Sequence, residues 1–239
     1  AAICTYVCGP ENVLAVNLPT KHNTEKTRNV AKKIAENLKI PYLVVPIQDM
    51  VAVNNKVIED ANFNDEIKPL TGLLYENIQA KIRGAGILSN LAAKYGGMFT
   101  NNGNKVEIAL GYSTLYGDMG GAIAPIGDLT KAEVYEMSRY VNELFKREII
   151  PEQLLPDELF RFEGDKIVPS AELRDNQVDP MKYGYHCAII EKIIGEPRYS
   201  IEDICKLYLE GVLPEKLGIS RELFERYELG NPQVFIDDI

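Results

Sequence analysis

Two short apolar runs, residues 13–18 and 42–45, separated by one amphipathic stretch, constrain the fold of this chain more than any other feature. Pro19 closes the first run, and Pro41 and Pro46 bound the second. Between them the spacing of Val30, Ile34 and Leu38 predicts a helix from about Thr24, with Asn23 as its cap. A strand-helix-strand order with almost uninterrupted apolar strands favours parallel pairing under covering helices. Ligands of such sheets gather at the carboxyl ends of the strands. Before this unit, residues 1–8 read as the apolar body of an element ending at Gly9-Pro10, with Cys4 and Cys8 as buried small hydrophobes one helical turn apart. So abrupt a start leads us to expect further chain upstream.

With 239 residues, 46% hydrophobic and 26% charged, the chain has enough material for one substantial α/β core, and a single globular unit over residues 1–239 is expected. Residues 1–150 read as the core and 151–239 as a loop followed by C-terminal helices. The formal charge of -9 excludes a broad positive surface for nucleic-acid backbones, while leaving room for a local basic pocket. Four cysteines and two histidines, without metal-ligand spacing, give little support for zinc or a disulfide framework, so a reducing cytoplasm is the default. His22 and His186 lack a nucleophile partner and read as local surface or packing residues. No apolar run approaches membrane-span length.

Further along, a helix is expected near residues 53–58. A strong one follows over 75–95, with Ile78, Ile82, Ala85, Leu88 and Leu91 as its apolar stripe. On that helix Gln79 and Arg83 share a face, whereas Lys81 diverges from Arg83 by about 200°. Arg83 suits a forked contact to phosphate or carboxylate, with a surface ion pair as the alternative. Met98-Phe99-Thr100 reads as a short strand, which sets Glu107 just beyond a strand end. Thr130-Lys131-Ala132-Glu133 is a capping-box pattern opening a helix. After it, residues 175–185 read as a lid or loop, with helices at about 188–195, 201–209 and 223–227 packed against the first unit.

The segment from Gly111 to Gly121, Gly-Tyr-Ser-Thr-Leu-Tyr-Gly-Asp-Met-Gly-Gly, is more elaborate than a connection requires. Glu107 before it and Asp118 within it flank a glycine-containing stretch and suit Mg2+ joined by phosphate oxygens; ordinary solvated or capping carboxylates are the other reading. Lys131 lies in a first helical turn, where it is unfavourable for the helix dipole unless an anion compensates it, or else it simply faces solvent.

Glu76-Asn77-Ile78-Gln79-Ala80-Lys81-Ile82-Arg83, Gly103-Asn104-Lys105-Val106-Glu107, the 112–121 segment, Gly127-Asp128-Leu129-Thr130-Lys131 and Pro169-Ser170-Ala171-Glu172-Leu173-Arg174-Asp175-Asn176-Gln177 together resemble, in order and spacing, the synthetase domain of the NAD+ synthetases. The last of these looks most like the glutamine-dependent branch. The resemblance implies an α/β fold of the ATP-pyrophosphatase (adenine nucleotide alpha hydrolase-like) type, a three-layer open parallel sheet with peripheral C-terminal helices. It implies adenylation of the nicotinate carboxylate of deamido-NAD+ by Mg-ATP, release of pyrophosphate, and displacement of AMP by ammonia, in an enzyme that commonly forms homodimers. By the same resemblance Glu107 is a Mg2+ ligand, Lys131 a phosphate contact, and Asn102 stands where relatives often carry an ATP-contacting threonine. Asp118 is placed over the reacting groups, Arg83, Asn77 and Lys81 on the helix lining the dinucleotide site, and Ser170 near the phosphates. Lys81 replaces an arginine common in the family, which removes a bidentate contact.

One departure stands out. The family's Ser-Gly-Gly-x-Asp-Ser phosphate loop, which precedes a helix resembling residues 1–8, occurs nowhere in the chain. The expectation is that it lies upstream, and that the 239 residues alone are weak or inactive. None of the cysteines matches the Cys-Glu-Lys triad of the glutaminase domain found in glutamine-dependent relatives, so this chain by itself would use free ammonia. The alternatives are another ATP-pyrophosphatase, which should lack the 76–83 and 111–121 motifs together, and a noncatalytic nucleotide-binding protein, for which no upstream phosphate loop would exist.

Overall fold

The computed structural model describes residues 1–63, 67–156, 173 and 180–239. It begins with helix α1 (Ala2–Cys8), whose single buried residue is Thr5; Cys4 is half-buried and Cys8 exposed, against the expectation that both pack inside. Strands β1 (Ala15–Asn17) and β2 (Tyr42–Val44) pair in parallel with Ala15 opposite Tyr42 and Asn17 opposite Val44. Helix α2 (Glu25–Leu38) connects them, as the sequence predicts. Its cap is Thr24 rather than Asn23: the Thr24 side chain accepts the Thr27 amide, while Asn23 accepts the Thr20 amide at 2.9 Å and tightens the turn before the helix.

Alternate strand residues face two apolar clusters, as the two-residue period of a strand requires. Ala15 and Tyr42 meet Ala35, Leu38, Val141 and Ile149 on one side. Val16 meets Leu18, Ile47, Val51, Ile78 and Ile82 on the other. Helix α3 (Gln48–Asp60), twice the length expected, supplies Val51 to the second cluster. Among the described residues the sheet consists of these two strands. The strand expected at 98–100 reduces to one parallel bridge, Thr100 to Ile123, with flanking bonds from Ala122 N to Phe99 O and from Asn101 N to Ile123 O. Gly121, at φ 145°, turns the partner segment away before a ladder can extend.

The strong helix at 75–95 is present but interrupted. α4 (Gly72–Lys81), capped by Thr71, passes into a π-helical segment (Ile82–Leu88) and then α5 (Ser89–Lys94). The wider turn shifts the phase of the apolar stripe, so Ile78 and Ile82 are buried while Ala85 is exposed. Two side chains reach back to its carbonyls: Ser89 Oγ donates to Ala85 O, and Asn90 Nδ2 to Gly86 O at 2.8 Å. The widening brings Gly84 against Gly117. A Cβ added at Gly84 would lie 2.1 Å from Gly117 O, and one at Gly117 would lie 2.9 Å from the Ala80 carbonyl carbon.

Helix α6 (Lys105–Leu110) occupies the place where a strand exit was expected for Glu107. Asn104 and Glu107 form a complete capping box, so Glu107 sits in the first turn of a helix. Helix α7 (Lys131–Leu144) opens with the predicted box between Thr130 and Glu133. Helix α8 (Tyr183–Ile194) starts five residues before the expected 188, absorbing the end of the expected 175–185 loop; residues 175–179 lie outside the described residues. It is followed by α9 (Ile201–Leu209), α10 (Leu213–Leu217), α11 (Arg221–Arg226) and α12 (Pro232–Asp237). These helices pack against the first unit, as expected, through α6. They bury Tyr185, Ile204, Leu213, Leu229 and Phe235 in one cluster that also takes Val106 of α6. No helix among the described residues is long and apolar enough to cross a membrane.

His186 is part of that packing, 5% exposed, with Nδ1 accepting the Lys182 amide at 3.0 Å and Nε2 3.8 Å from Asp238, which also pairs with Lys182. Burial pushes the imidazole below its ordinary value, against the pull of Asp238 and with the push of Lys182.

Two outcomes follow. Gly84→Ala should destabilise the fold by about 1–3 kcal/mol in urea denaturation, because backbone rather than a flexible side chain must move; an unchanged midpoint would mean the contact is looser than 2.1 Å implies. For His186, the unfolded chain takes up the proton as pH falls through about 6.5 while the folded chain resists, so stability declines there and levels off below the lower folded value. His186→Gln should flatten that decline, and an identical slope in the variant would exclude this residue as its source.

Candidate active site

At the carboxyl end of β1 opens a cavity of about 560 Å³. Asn17 and Leu18 form its floor, Arg83 and Gly84 of the π-helical segment one wall, and Gly117 to Gly120 another. Five residues singled out in the sequence line it together: Arg83, Asn102, Glu107, Asp118 and Lys131.

Local structure explains each placement. The Glu107 carboxylate is divided by the capping box: Oε2 accepts the Asn104 amide at 2.8 Å, while Oε1 faces Lys131 Nζ at 3.9 Å. The capping reading of this carboxylate is therefore met through Oε2, and Oε1 is the oxygen turned to Lys131. Lys131, the first residue of α7, has its ammonium near Glu107 and over the ring of Tyr183, whose centroid is 5.1 Å away. Asp118 is exposed at the cavity, and its Oδ1 accepts the Thr114 amide at 2.5 Å, closing a tight turn within the loop. Asn102 is exposed on the opposite wall and accepts the Thr100 hydroxyl at 2.9 Å.

Arg83 reaches toward the strand exit. Its Nε donates to Leu18 O at 3.2 Å and Nη2 to Asn23 Oδ1 at 3.4 Å. Burial lowers its pKa to about 10, which leaves the guanidinium charged at neutral pH. A forked side chain with five donors can hold this turn and still present N–H groups to an anion. As the helical spacing requires, Gln79 lies on the same side: buried, it donates to Leu173 O at 2.7 Å, and Leu173 also lines the cavity. Lys81 is exposed and does not line it. Asn77 stands beneath the loop, accepting the Thr114 hydroxyl at 2.7 Å. Ser170 lies outside the described residues, as does the rest of the 169–177 motif apart from Leu173.

The sequence reading passed over Asn23 as a site residue and missed Tyr183. Asn23 was legible as a turn residue after a strand end. Tyr183 carried no local signal, because its role depends on the packing of α8 against α7.

Among the described residues no group of three or more His, Cys, Asp or Glu is placed to hold a metal, so a cation here would take most of its ligands from elsewhere. The donor type nevertheless suits a hard ion: Glu107 and Asp118 supply carboxylate oxygens to a cavity that also holds Arg83 and Lys131. Two cations and two carboxylates thus meet at the carboxyl end of a parallel strand, beside a glycine-containing loop, where ligands of α/β domains gather.

The chain belongs to the NAD synthase family, whose description matches residues 1–217. Glutamine-dependent members are strongly represented among its relatives. It is 33% identical over 228 residues to the glutamine-dependent NAD(+) synthetase of Thermotoga maritima, covering 91% of this chain and 33% of that protein. It is 31% identical over 243 residues to the NH(3)-dependent NAD(+) synthetase of Methanococcoides burtonii, covering 100% of this chain and 83% of that one. The solved glutamine-dependent NAD+ synthetase of Acinetobacter baumannii, in complex with adenosine diphosphate, is similar with TM-score 0.59 and 27% identity over 90% of this chain and 36% of its own. These similarities establish an NAD-synthetase-like α/β fold. The chain spans about a third of the length of the glutamine-dependent relatives it matches, 33%, 29% and 35% in three of them.

The loop contacts predict separable effects for two residues of one helix. Asn77→Ala should weaken the fold by about 1 kcal/mol and speed amide hydrogen exchange at Gly117 and Gly120, whereas Lys81→Ala should leave both unchanged. Equal protection in the Asn77 variant would show that the Thr114 hydroxyl does not anchor the loop.

Proposed function

We propose that this chain is the synthetase part of an NAD+ synthetase, a ligase that amidates deamido-NAD+ at the expense of ATP. The observation that carries this reading is the meeting of Arg83, Asn102, Glu107, Asp118 and Lys131 on one cavity at the end of β1, from five separate places in the sequence. Family membership and the relative solved with ADP support a nucleotide there.

The chemistry follows from the charges. A carboxylate is a poor electrophile, and transfer of AMP to it makes a mixed anhydride with a stable leaving group, which ammonia then displaces to give the amide. Pyrophosphate and AMP are the products. Such transfers depend mainly on placement and charge neutralisation. Lys131, held near Glu107, would contact phosphate, and Asn102 would contact ATP from the facing wall. Arg83 and Asp118 would hold deamido-NAD+, and Asn77 would support the loop that carries Asp118. Mg2+ would neutralise the polyphosphate, with Glu107 as its protein ligand and phosphate and water oxygens completing the shell. In this reading the 1–150 part supplies the cavity lining apart from Leu173, Ser170 approaches the phosphates, and a wider three-layer parallel sheet extends β1 and β2. The enzyme would work in the cytoplasm as a homodimer, taking ammonia directly or from a glutaminase domain where the intact protein carries one.

Pyrophosphate exchange into ATP, dependent on deamido-NAD+, tests the assignment. Glu107→Gln and Lys131→Met should each lower the exchange rate by about 100-fold or more. Absence of deamido-NAD+-dependent exchange in the intact wild-type protein would overturn the assignment.

A further inference from the structure

One face of α8 touches the first turns of the two helices that carry Glu107 and Lys131. Tyr183, Cys187 and Glu191 stand four residues apart, so successive positions drift by only about 40° around the axis. The ring of Tyr183 lies 5.1 Å from Lys131 Nζ. Cys187, one turn on, lies against the amides of Lys131 and Ala132 and the hydroxyl of Thr130, the capped start of α7. Glu191, a further turn on, pairs at 2.8 Å with Lys105, the first residue of α6 and two residues before Glu107. Tyr183 is 4% exposed and Cys187 6%, within the cluster that includes Val106 of α6. The stripe thus fixes α6 and α7 relative to each other.

We propose that Tyr183 is a positioning residue for the reaction: its ring face holds the Lys131 ammonium toward Glu107 and the cavity, with Cys187 and Glu191 bracing the two helix starts from the same face of α8. The physical case is specific to the ring. Lys131 has a flexible four-carbon stem and a compact charge, and its side chain is only 13% exposed, so it must be oriented by fixed partners. A carboxylate 3.9 Å from Nζ and an aromatic face 5.1 Å from it supply them, and a ring face attracts an ammonium most strongly where water is excluded. The catalytic consequence rests on the ATP-dependent reading above; the orientation of Lys131 does not.

Tyr183→Phe retains the ring face, whereas Tyr183→Met retains most of the volume without it, and Tyr183→Leu serves as a second ring-free variant should the methionine form fold poorly. In the intact protein, pyrophosphate exchange should stay within about twofold of wild type for the phenylalanine form and fall about tenfold for a ring-free form. Against a Lys131→Met background the ring-free substitution should bring no further loss, a coupling that a merely structural role would not produce. Lys131 acylation by a soluble active ester, mapped by mass spectrometry, supplies a readout independent of activity: slow in wild type and Tyr183→Phe, several-fold faster without the ring. If wild type lacks exchange but the acylation pattern holds, the functional reading fails and the positioning role stands. Unchanged acylation of Lys131 in folded ring-free variants, or equal losses of exchange in both backgrounds, would overturn the positioning role.

Discussion

The approach of two glycines fixes the geometry of this molecule's polar cavity. Gly84 and Gly117 lie so close that neither accommodates a Cβ, and the contact joins the π-helical segment to the loop before α7. Without the wide turn, the wall bearing Arg83 would present a different phase to the loop bearing Asp118. A second close approach, Gly121 against the Asn101 amide, fastens the far end of the loop to the wall that carries Asn102. Backbone contact therefore sets the separation of the cavity walls, and the side chains lining it secure the turns between them. That suits a site whose charged groups must remain available to a ligand.

Around this frame the polar groups perform two tasks at once. Glu107 caps α6 with one oxygen and faces Lys131 with the other. Arg83 fastens Leu18 and Asn23 at the strand exit while lining the cavity. Asp118 closes the Thr114 turn. Each is oriented by a backbone contact of its own, which limits the conformational freedom lost when a ligand binds.

Much of this was legible in the sequence, for local reasons. The β1-α2-β2 order could be read from apolar runs bounded by prolines, and the start of α7 from Thr130 and Glu133, since both signals lie within a few residues. The box at Asn104 and Glu107 has the same three-residue spacing, but Asn104 ends the glycine and asparagine stretch 101–104, whose local preference is for a loop after a strand. The π-helical turn left no mark, because an apolar stripe with helical spacing looks the same whether or not one turn is widened. The start of α8 was missed since Tyr183-Gly184-Tyr185 has low intrinsic helix preference, and burial of all three residues overrides it. The site residues were named chiefly from family likeness. Their convergence depends on glycine contacts between segments 20 and 33 residues apart, Asn101 with Gly121 and Gly84 with Gly117, which no short window of sequence contains.

The balance of charge at the cavity bears directly on the proposed chemistry. Arg83 and Lys131 supply two positive charges, and Glu107 and Asp118 supply two negative ones, so these four groups are formally neutral together. Lys131 is already drawn to Glu107 across 3.9 Å, and a phosphate must compete with that carboxylate for the ammonium. A divalent cation beside Glu107 would weaken the pull and favour the phosphate, so cation and polyphosphate binding would reinforce each other, while either alone would meet a site satisfied by its own ion pair. Under the proposed function, neutrality in this cavity would favour a metal-bound polyphosphate over a bare anion. It also gives the orientation of Lys131 its importance, because a lysine free to swing toward solvent would leave Glu107 uncompensated and admit a cation without its nucleotide.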